Sequence, residues 1–373
     1  MKITLMQTLA RFFVLISVGT SLALGQTVSG LSGKAAAMVG PEAGLWDAGQ
    51  GFQFDLGKKK RLKARQSVSG IACQITSAAP GRCLLVFDEG AQARYATLAE
   101  GHLQPEGEAV AFPGRSGELD AEGAASDGRF VYITGSHSAK RADCASNPDS
   151  RWVIRAPLNA DPMRVDVSAA VSSAKLWTLM LAHPELQPFV GENKCLGTER
   201  PAKAPQRQGQ QGINIEGLAV RDGLLYFGLR GPVIGGQARV LSLPADALFV
   251  AAADQAAAPR LQVSLLALGT QRGIRDMVAV SDGVLLLAGP DDDDRSQEAG
   301  WAVFWWDGRP GHTGQPPRLL AGLDLSQVKL RACDVTIKPE AMTVWAETAT
   351  AYRLLILSDG LCDGGALVFT VPR

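Results

Sequence analysis

The chain has 373 residues, 46% of them hydrophobic, with 37 lysines and arginines against 37 aspartates and glutamates. Balanced charge supplies no overall attraction for nucleic acid or an anionic membrane, which argues against nucleic acid as a partner. The length exceeds an average domain, yet all-β propellers and barrels reach it as single units, so one large folded unit is expected.

Residues 1–25 read as an export signal. Lys2 and Arg11 are the charges before a short apolar run at 12–19, and small residues follow, with Ala23 three places before the expected cut after Gly25. The run falls short of the roughly 20 apolar residues of a membrane-spanning helix, and no later stretch reaches that length. Export to the periplasm or beyond places the six cysteines in an oxidising compartment. Residues 26–50, rich in Gly and Ala, read as a weakly ordered lead-in. A single propeller domain is expected over 51–373, with a first or closing strand at 52–56. The basic run Lys58–Arg65 has two readings, a solvated loop or a contact with an anionic surface.

One unit then recurs along the chain: an acid, a small residue, an apolar residue, a small residue, a polar turn, and an apolar strand. Clear copies stand at 122–135 (EGAASDGRFVYITG), 216–228 (EGLAVRDGLLYFG) and 276–289 (DMVAVSDGVLLLAG). A weaker copy runs from Glu340 to Ser358, and a degenerate one starts at Ser69, with serine in place of the acid. Each copy is a hairpin signal followed by a further strand-like segment, as in 151–155, 238–243, 301–306 and 366–371. Strand, turn, strand, loop, strand is most of a four-stranded blade, so an all-β propeller with five visible blades, and room for five to seven, is expected. The long interval between Glu122 and Glu216 holds either a decayed blade or an insertion. Its helical stretch at 172–189 places Leu176, Met180 and Leu181 on one side, which favours an inserted helix and loop over about 172–211.

The cysteines flank turns or irregular stretches in pairs: Cys73 with Cys83, Cys144 with Cys195, Cys333 with Cys362. These are the expected disulfides, since no Cys-x-x-Cys spacing suggests zinc or redox work.

In a propeller the first strand of every blade lines the channel, so an equivalent residue in each copy lies on a ring. Glu122, Glu216, Asp276 and Glu340 hold that place. Like charges confined there need raised pKa values, basic partners or a bound divalent cation, and hard oxygen donors suit calcium or magnesium. The alternative is structural: each acid accepts hydrogen bonds from neighbouring strand ends and staples the blades. The second strand of each hairpin returns to the same face, bringing Asp88, Glu89, residues 136–138, Arg230, Asp291 and Asp359 to the mouth. His137 is the candidate general base or metal ligand, and Arg230 the candidate anion contact or neutralising partner for the acids. Lys140, Arg141, Asn147 and Arg151 add polar and positive groups nearby. No nucleophile elbow is present. The acidic run 291–294 lacks the alternating EF-hand pattern. Trp301 and Trp305 share one face of a strand and Trp306 the other, the pattern of packing between blades.

The stretches 213–220 (INIEGLAV), 225–232 (LYFGLRGP), 135–138 (GSHS), 274–277 (IRDM) and 285–290 (LLLAGP) resemble a bacterial family known only as domain of unknown function 3616, over residue 69 to the C-terminus. That resemblance implies a propeller-like fold without an activity. The Glu-Gly-apolar-Ala start of each repeat is also distantly similar to calcium-dependent propeller esterases, lactonases and phytase-like propellers. By position, that similarity implies a metal at Glu122, Glu216, Asp276 and Glu340. The asparagine ligands of the lactonases have no placed counterpart, although Asn214 lies two residues before Glu216. Two functions follow as expectations: a divalent-metal-dependent hydrolase of phosphoester, ester or lactone substrates, or a non-catalytic propeller binding a small polar or anionic ligand, or a protein, at its mouth.

Overall fold

The computed structural model describes residues 37–76, 79–111, 118–160, 163–195, 197, 203–206, 209, 211–249, 260–291, 299–311 and 316–373. The export signal expected at 1–25, and most of the acidic run 291–294, lie outside them.

Five sheets, antiparallel but for one short edge strand, follow one another along the chain. The first contains β2 (Val68–Thr76), β3 (Ala79–Phe87), β4 (Gln92–Ala99) and β5 (His102–Ala111). The second contains β6 (Ala121–Ser126), β7 (Phe130–Gly135) and β8 (Val153–Ala160), with β9 (Met163–Val165) and β10 (Val171–Ser173) both paired to β8. The third contains β11 (Asn214–Arg221), β12 (Leu224–Gly231), β13 (Gln237–Pro244) and β14 (Gln262–Ala267). The fourth contains β15 (Arg272–Val280), β16 (Gly283–Pro290), β17 (Trp301–Trp306) and β18 (Arg318–Leu323). The fifth contains β19 (Lys338–Glu347), β20 (Ala351–Asp359) and β21 (Leu367–Pro372). First strands touch in the order β2, β6, β11, β15, β19 and back to β2, so the ring closes with five blades.

Local sequence explains the hairpins. Asp222 and Gly223, with φ of 50° and 76°, both take the left-handed conformation that a two-residue hairpin turn requires. Five apolar cores then fill the five gaps between neighbouring blades. Tyr226, Ile274, Leu286 and Trp306 pack in the core between the third and fourth blades, for example. Leu285, Leu354 and Phe369 pack in the next. Trp306 and the half-buried pair Trp301 and Trp305 belong to different cores, which is the strand alternation read from the sequence.

The long interval carries an insertion. Within it, α2 (Lys175–Ala182) buries Leu176 and Met180 against the second and third blades, whereas Leu181 is exposed. Residues 52–56 form no strand; Phe52 and Phe54 instead pack edge-on against Phe87.

Residues 37–54 strap three blades. β1 (Met38–Val39) pairs in parallel with β18. The Glu42 and Trp46 amides donate to the Val368 and Ala366 carbonyls beside β21, and Asp47 bridges to His102 of β5. The strap thereby takes the place of a fourth strand on the three-stranded fifth blade.

All three expected disulfides are present: Cys73–Cys83, Cys144–Cys195 and Cys333–Cys362. No helix among the described residues is long and apolar enough to cross a membrane.

Candidate functional site

Every first strand carries a bulge near its start, and the bulged residue sets the site. The ladder skips Ser69 in β2, Glu122 in β6, Glu216 in β11, Arg275 in β15 and Glu340 in β19. A bulge re-aims its side chain away from the ladder. The innermost ring is therefore serine, three glutamates and an arginine.

This corrects the expected equivalence of Asp276. It stands one residue past the bulge, where other blades have Gly70, Gly123, Gly217 and Ala341. Small residues are needed there because the next blade is close; a Cβ on Gly123 would lie 2.8 Å from the Leu218 Cβ. In the fourth blade the buried carboxylate of Asp276 uses this closeness. It accepts the amides of Met277 at 2.7 Å and Met342 at 2.5 Å, and that of Leu218 as well. Asp276 thus ties three blades together, and burial holds its pKa well above the usual carboxylate range. Asp276 is not among the residues lining the cavity at the mouth.

That cavity, about 570 Å³, is lined by Asp88, Glu89, Glu118, Asp120, Glu122, Glu216, Glu340 and Asp359, by Lys63, Lys140, Arg141, Arg230 and Lys338, and by Asn147 and Asn214. The second-strand ends supply Asp88, Glu89, Arg230 and Asp359, as read from the sequence; Asp291 contributes a backbone carbonyl, which accepts Arg230 Nε at 3.3 Å. Of the residues two places before each bulge, Asp120, Asn214 and Lys338 also line the cavity.

The two sides of the ring differ electrostatically. Glu216 meets Arg230 Nη1 at 3.0 Å, and its other oxygen lies 2.7 Å from Arg275 Nε, off the hydrogen-bond axis. The same Arg275 guanidinium donates to Glu340, and all four side chains are buried. Burial pushes Glu340 up to about 8 despite Arg275. The arginine at the fourth position thus occupies the role that a metal would take in an all-acid ring.

On the other side, Glu122 has no ion pair among the described residues. Burial, then repulsion from Glu216, Asp120, Glu340 and Asp88, raises its pKa well above the ordinary value. Asp120 accepts from the Ser136 hydroxyl and, at 3.5 Å, from Asn147 Nδ2; burial raises its pKa, with Arg141 opposing. Asp88 is pushed up to about 7 by burial, then by the charges of Asp359 and Asp120. Asn214 Nδ2 donates to Glu216 Oε1 at 3.1 Å, while its buried Oδ1 has no hydrogen-bond partner.

His137 is placed differently from its expected role. Its φ of 55° turns the ring into the protein, where it is fully buried. Nδ1 lies 3.0 Å from the Gly135 carbonyl and Nε2 has no partner. Burial lowers its pKa to about 4, so the imidazole is neutral at physiological pH. Its neighbour Ser138 lines the cavity instead. Arg151, also expected near the mouth, stacks 3.9 Å above Trp177 and pairs with Glu192 at 2.7 Å.

Of the four residues expected to hold a metal, Glu122, Glu216 and Glu340 line the mouth and Asp276 does not. The set of three ligand-type side chains with ligand atoms within 4.8 Å of one another, among the described residues, is Cys333, Asp334 and Cys362. Two of those sulfurs are in a disulfide. Arg275 and Asp120 were missed by sequence reading. A one-residue register shift in the fourth repeat hid the arginine, and the shared position two residues before Glu122 and Glu216 would have found Asp120 beside Asn214.

No curated protein matches the chain significantly. Among solved structures, a GH43 endo-arabinanase from Bacillus licheniformis is 9% identical, with a TM-score of 0.35 over 82% of this chain and 94% of that one. A calcium-binding protein, regucalcin, from Agrobacterium tumefaciens is 11% identical, with a TM-score of 0.36 over 90% and 95%. An α-L-arabinofuranosidase from Lactobacillus brevis is 13% identical, with a TM-score of 0.35 over 83% and 91%. The profile of DUF3616, a family described as proteins of unknown function, matches residues 92–156 and 167–363, more than half of the chain. The chain belongs to the DUF3616 family.

Proposed function

We propose that this exported propeller captures a small polar ligand at its channel mouth, with a cationic end of the ligand meeting Asp88, Asp120 and Glu122. The observation that carries this reading is the asymmetry of the ring. Arg230 and Arg275 already pair with Glu216 and Glu340, whereas Asp88, Asp120 and Glu122 have no ion pair among the described residues and burial raises the pKa of each. A cation entering there relieves repulsion without displacing an existing salt bridge. Lys140, Arg141 and Arg230 line the same cavity and suit an anionic end, so a zwitterion or a polar molecule with both kinds of group fits best. Export is supported by the three disulfides, which persist in an oxidising compartment such as the periplasm or the extracellular medium.

A second reading, a divalent-cation-dependent hydrolase of phosphoester, ester or lactone substrates, is favoured by the donor chemistry of that same side. Carboxylate oxygens and the partnerless Oδ1 of Asn214 are the hard donors that calcium takes. Such an ion, when bound, polarises an ester or phosphoryl oxygen. Among the chain's own residues, Arg230 would orient an anionic group, and Asp88, near pKa 7, would hold or release a proton at neutral pH.

Thermal melts of the full chain separate the two readings. The first expects amino acids and small amines to raise the melting temperature of the parent protein but not of Glu122→Gln. A panel in which purely anionic compounds alone stabilise the protein sinks it. The second expects calcium to stabilise, EDTA to reverse this, and aryl ester or aryl phosphate turnover to depend on the ion. Identical melting in calcium and EDTA ends that reading.

A further inference from the structure

We propose that the basic helix α1 (Lys58–Arg65) is a docking surface for an anionic lipid bilayer. This is independent of what the mouth binds. The sequence allowed a solvated loop here; the structure instead holds the segment as a helix pinned to the fifth blade. Arg65 Nε donates to Asp363 at 2.9 Å, and the Phe52 amide donates to the same carboxylate at 2.8 Å. Ala64 is buried, so the inward face is fixed. At 3.6 residues per turn, Leu62 lies about 160° round the helix from Ala64, flanked by Lys58 and Lys59 at the i−4 and i−3 positions. Leu62 and the preceding Leu56 are among the large hydrophobic residues most open to solvent. The outward face therefore combines lysine ammonium groups with one exposed leucine, which suits electrostatic attachment to anionic headgroups with a single shallow apolar contact.

The charges are also poorly arranged for the helix itself. Lys58, Lys59 and Lys60 crowd the first turn, at the positive end of the helix dipole. No acid stands in that turn, and Gly57 offers no side-chain cap. No ion pair to these three lysines exists among the described residues. Lys63 pairs with Glu89 and Arg65 with Asp363, so the cations nearer the C-terminal end are compensated and those at the N-terminal end are not. Within a chain of zero formal net charge, this unbalanced group suits an external anionic surface. Clusters of four to eight basic residues on an amphipathic helix attract anionic headgroups, each charge contributing about 1 kcal/mol, or about fivefold in partitioning.

Sedimentation of the full chain with phosphatidylcholine vesicles, with and without phosphatidylglycerol, tests this. Binding is expected to the anionic vesicles alone and to fall as salt rises from about 0.1 M to about 1 M, where screening shortens from about 10 Å to about 3 Å. Replacing Lys58, Lys59 and Lys60 together with Gln is expected to lower partitioning on the order of 100-fold. Leu62→Ser is expected to weaken it further while leaving the melting temperature unchanged. Equal binding to both vesicle types, or undiminished binding by the triple variant, overturns the proposal. So does salt-sensitive self-association without vesicles that the triple variant abolishes, because the partner is then a second copy of the chain.

Discussion

The ring of bulged side chains has two halves that solve the same electrostatic problem differently. Around the third to fifth blades, buried Glu216 and Glu340 are held by Arg275, with Arg230 adding a second contact to Glu216. Around the first and second blades, Asp88, Asp120 and Glu122 face the cavity with hydroxyl and amide neighbours, and Lys63 and Arg141 offset Asp88 and Asp120 without forming an ion pair to any of the three among the described residues. One half is completed from within the chain; the other has an appetite for positive charge. Closing a salt bridge removes a carboxylate from ligand binding, which is why the open half is the one proposed above to take a ligand.

Breaking the completed half has the largest expected effect. Arg275→Met leaves two buried carboxylates without their common guanidinium, and removing one partner of a buried pair costs about 3–5 kcal/mol. Urea denaturation measures this. Combining the change with Glu216→Gln and Glu340→Gln is expected to restore much of the stability, because no charge is then stranded. If Arg275→Met lies within about 1 kcal/mol of the parent, the two halves do not differ as described. Asp276→Asn comes next. The amide must turn an N–H toward an amide donor that the carboxyl accepted, Met277 or Met342, and leaving that buried donor unpaired costs about 2 kcal/mol. The mouth is expected to be unaffected, so any probe that binds the parent protein retains its affinity for this variant.

The repeat and the propeller were legible in the sequence because an Asp-Gly turn between β-rich runs is a local pattern, and the disulfides because each cysteine pair brackets one turn, one irregular stretch or one strand pair. Bulge register was not. Glu122, Glu216 and Glu340 were read at the correct position, but in the fourth repeat Asp276 drew the eye from Arg275, and a slip of one residue exchanges the faces of a strand. The left-handed backbone at residue 137 was equally hidden, and it alone turns an apparently available histidine inward. The strap at 37–54 gave no periodicity because its hydrogen bonds go to β18 and β21, near the other end of the chain.

The open half should report itself through pH. Below about pH 4 Asp88 is protonated whether the chain is folded or not, so it has no effect on stability. Between that value and its folded pKa of about 7, the unfolded chain is ionised while the folded one keeps its proton. Unfolding then releases a proton, so stability falls as pH rises. Above about 7 both states are ionised and the loss is complete. Asp88 as a residue is half-buried and lines the cavity, where solvent screening reduces the effect to about 1–2 kcal/mol between pH 5 and pH 8. Asp88→Asn is expected to flatten that part of the profile. A pH profile identical in parent and variant would show that Asp88 does not carry the strain of the open half.

Glu122→Gln should have the smallest and most telling effect, because its sign is opposite to that of a typical core change. Glu122 has no ion pair among the described residues to lose, and its ionised form is opposed by burial and by four neighbouring acids. An uncharged isostere removes that repulsion, so the variant is expected to be as stable as the parent at pH 5 and about 1 kcal/mol more stable at pH 8. Calcium or a small amine that stabilises the parent should add nothing to the variant. A Glu122→Gln protein that is less stable at pH 8 would mean that the carboxylate already has a favourable partner. The open half would then be closed from within, like its counterpart across the channel.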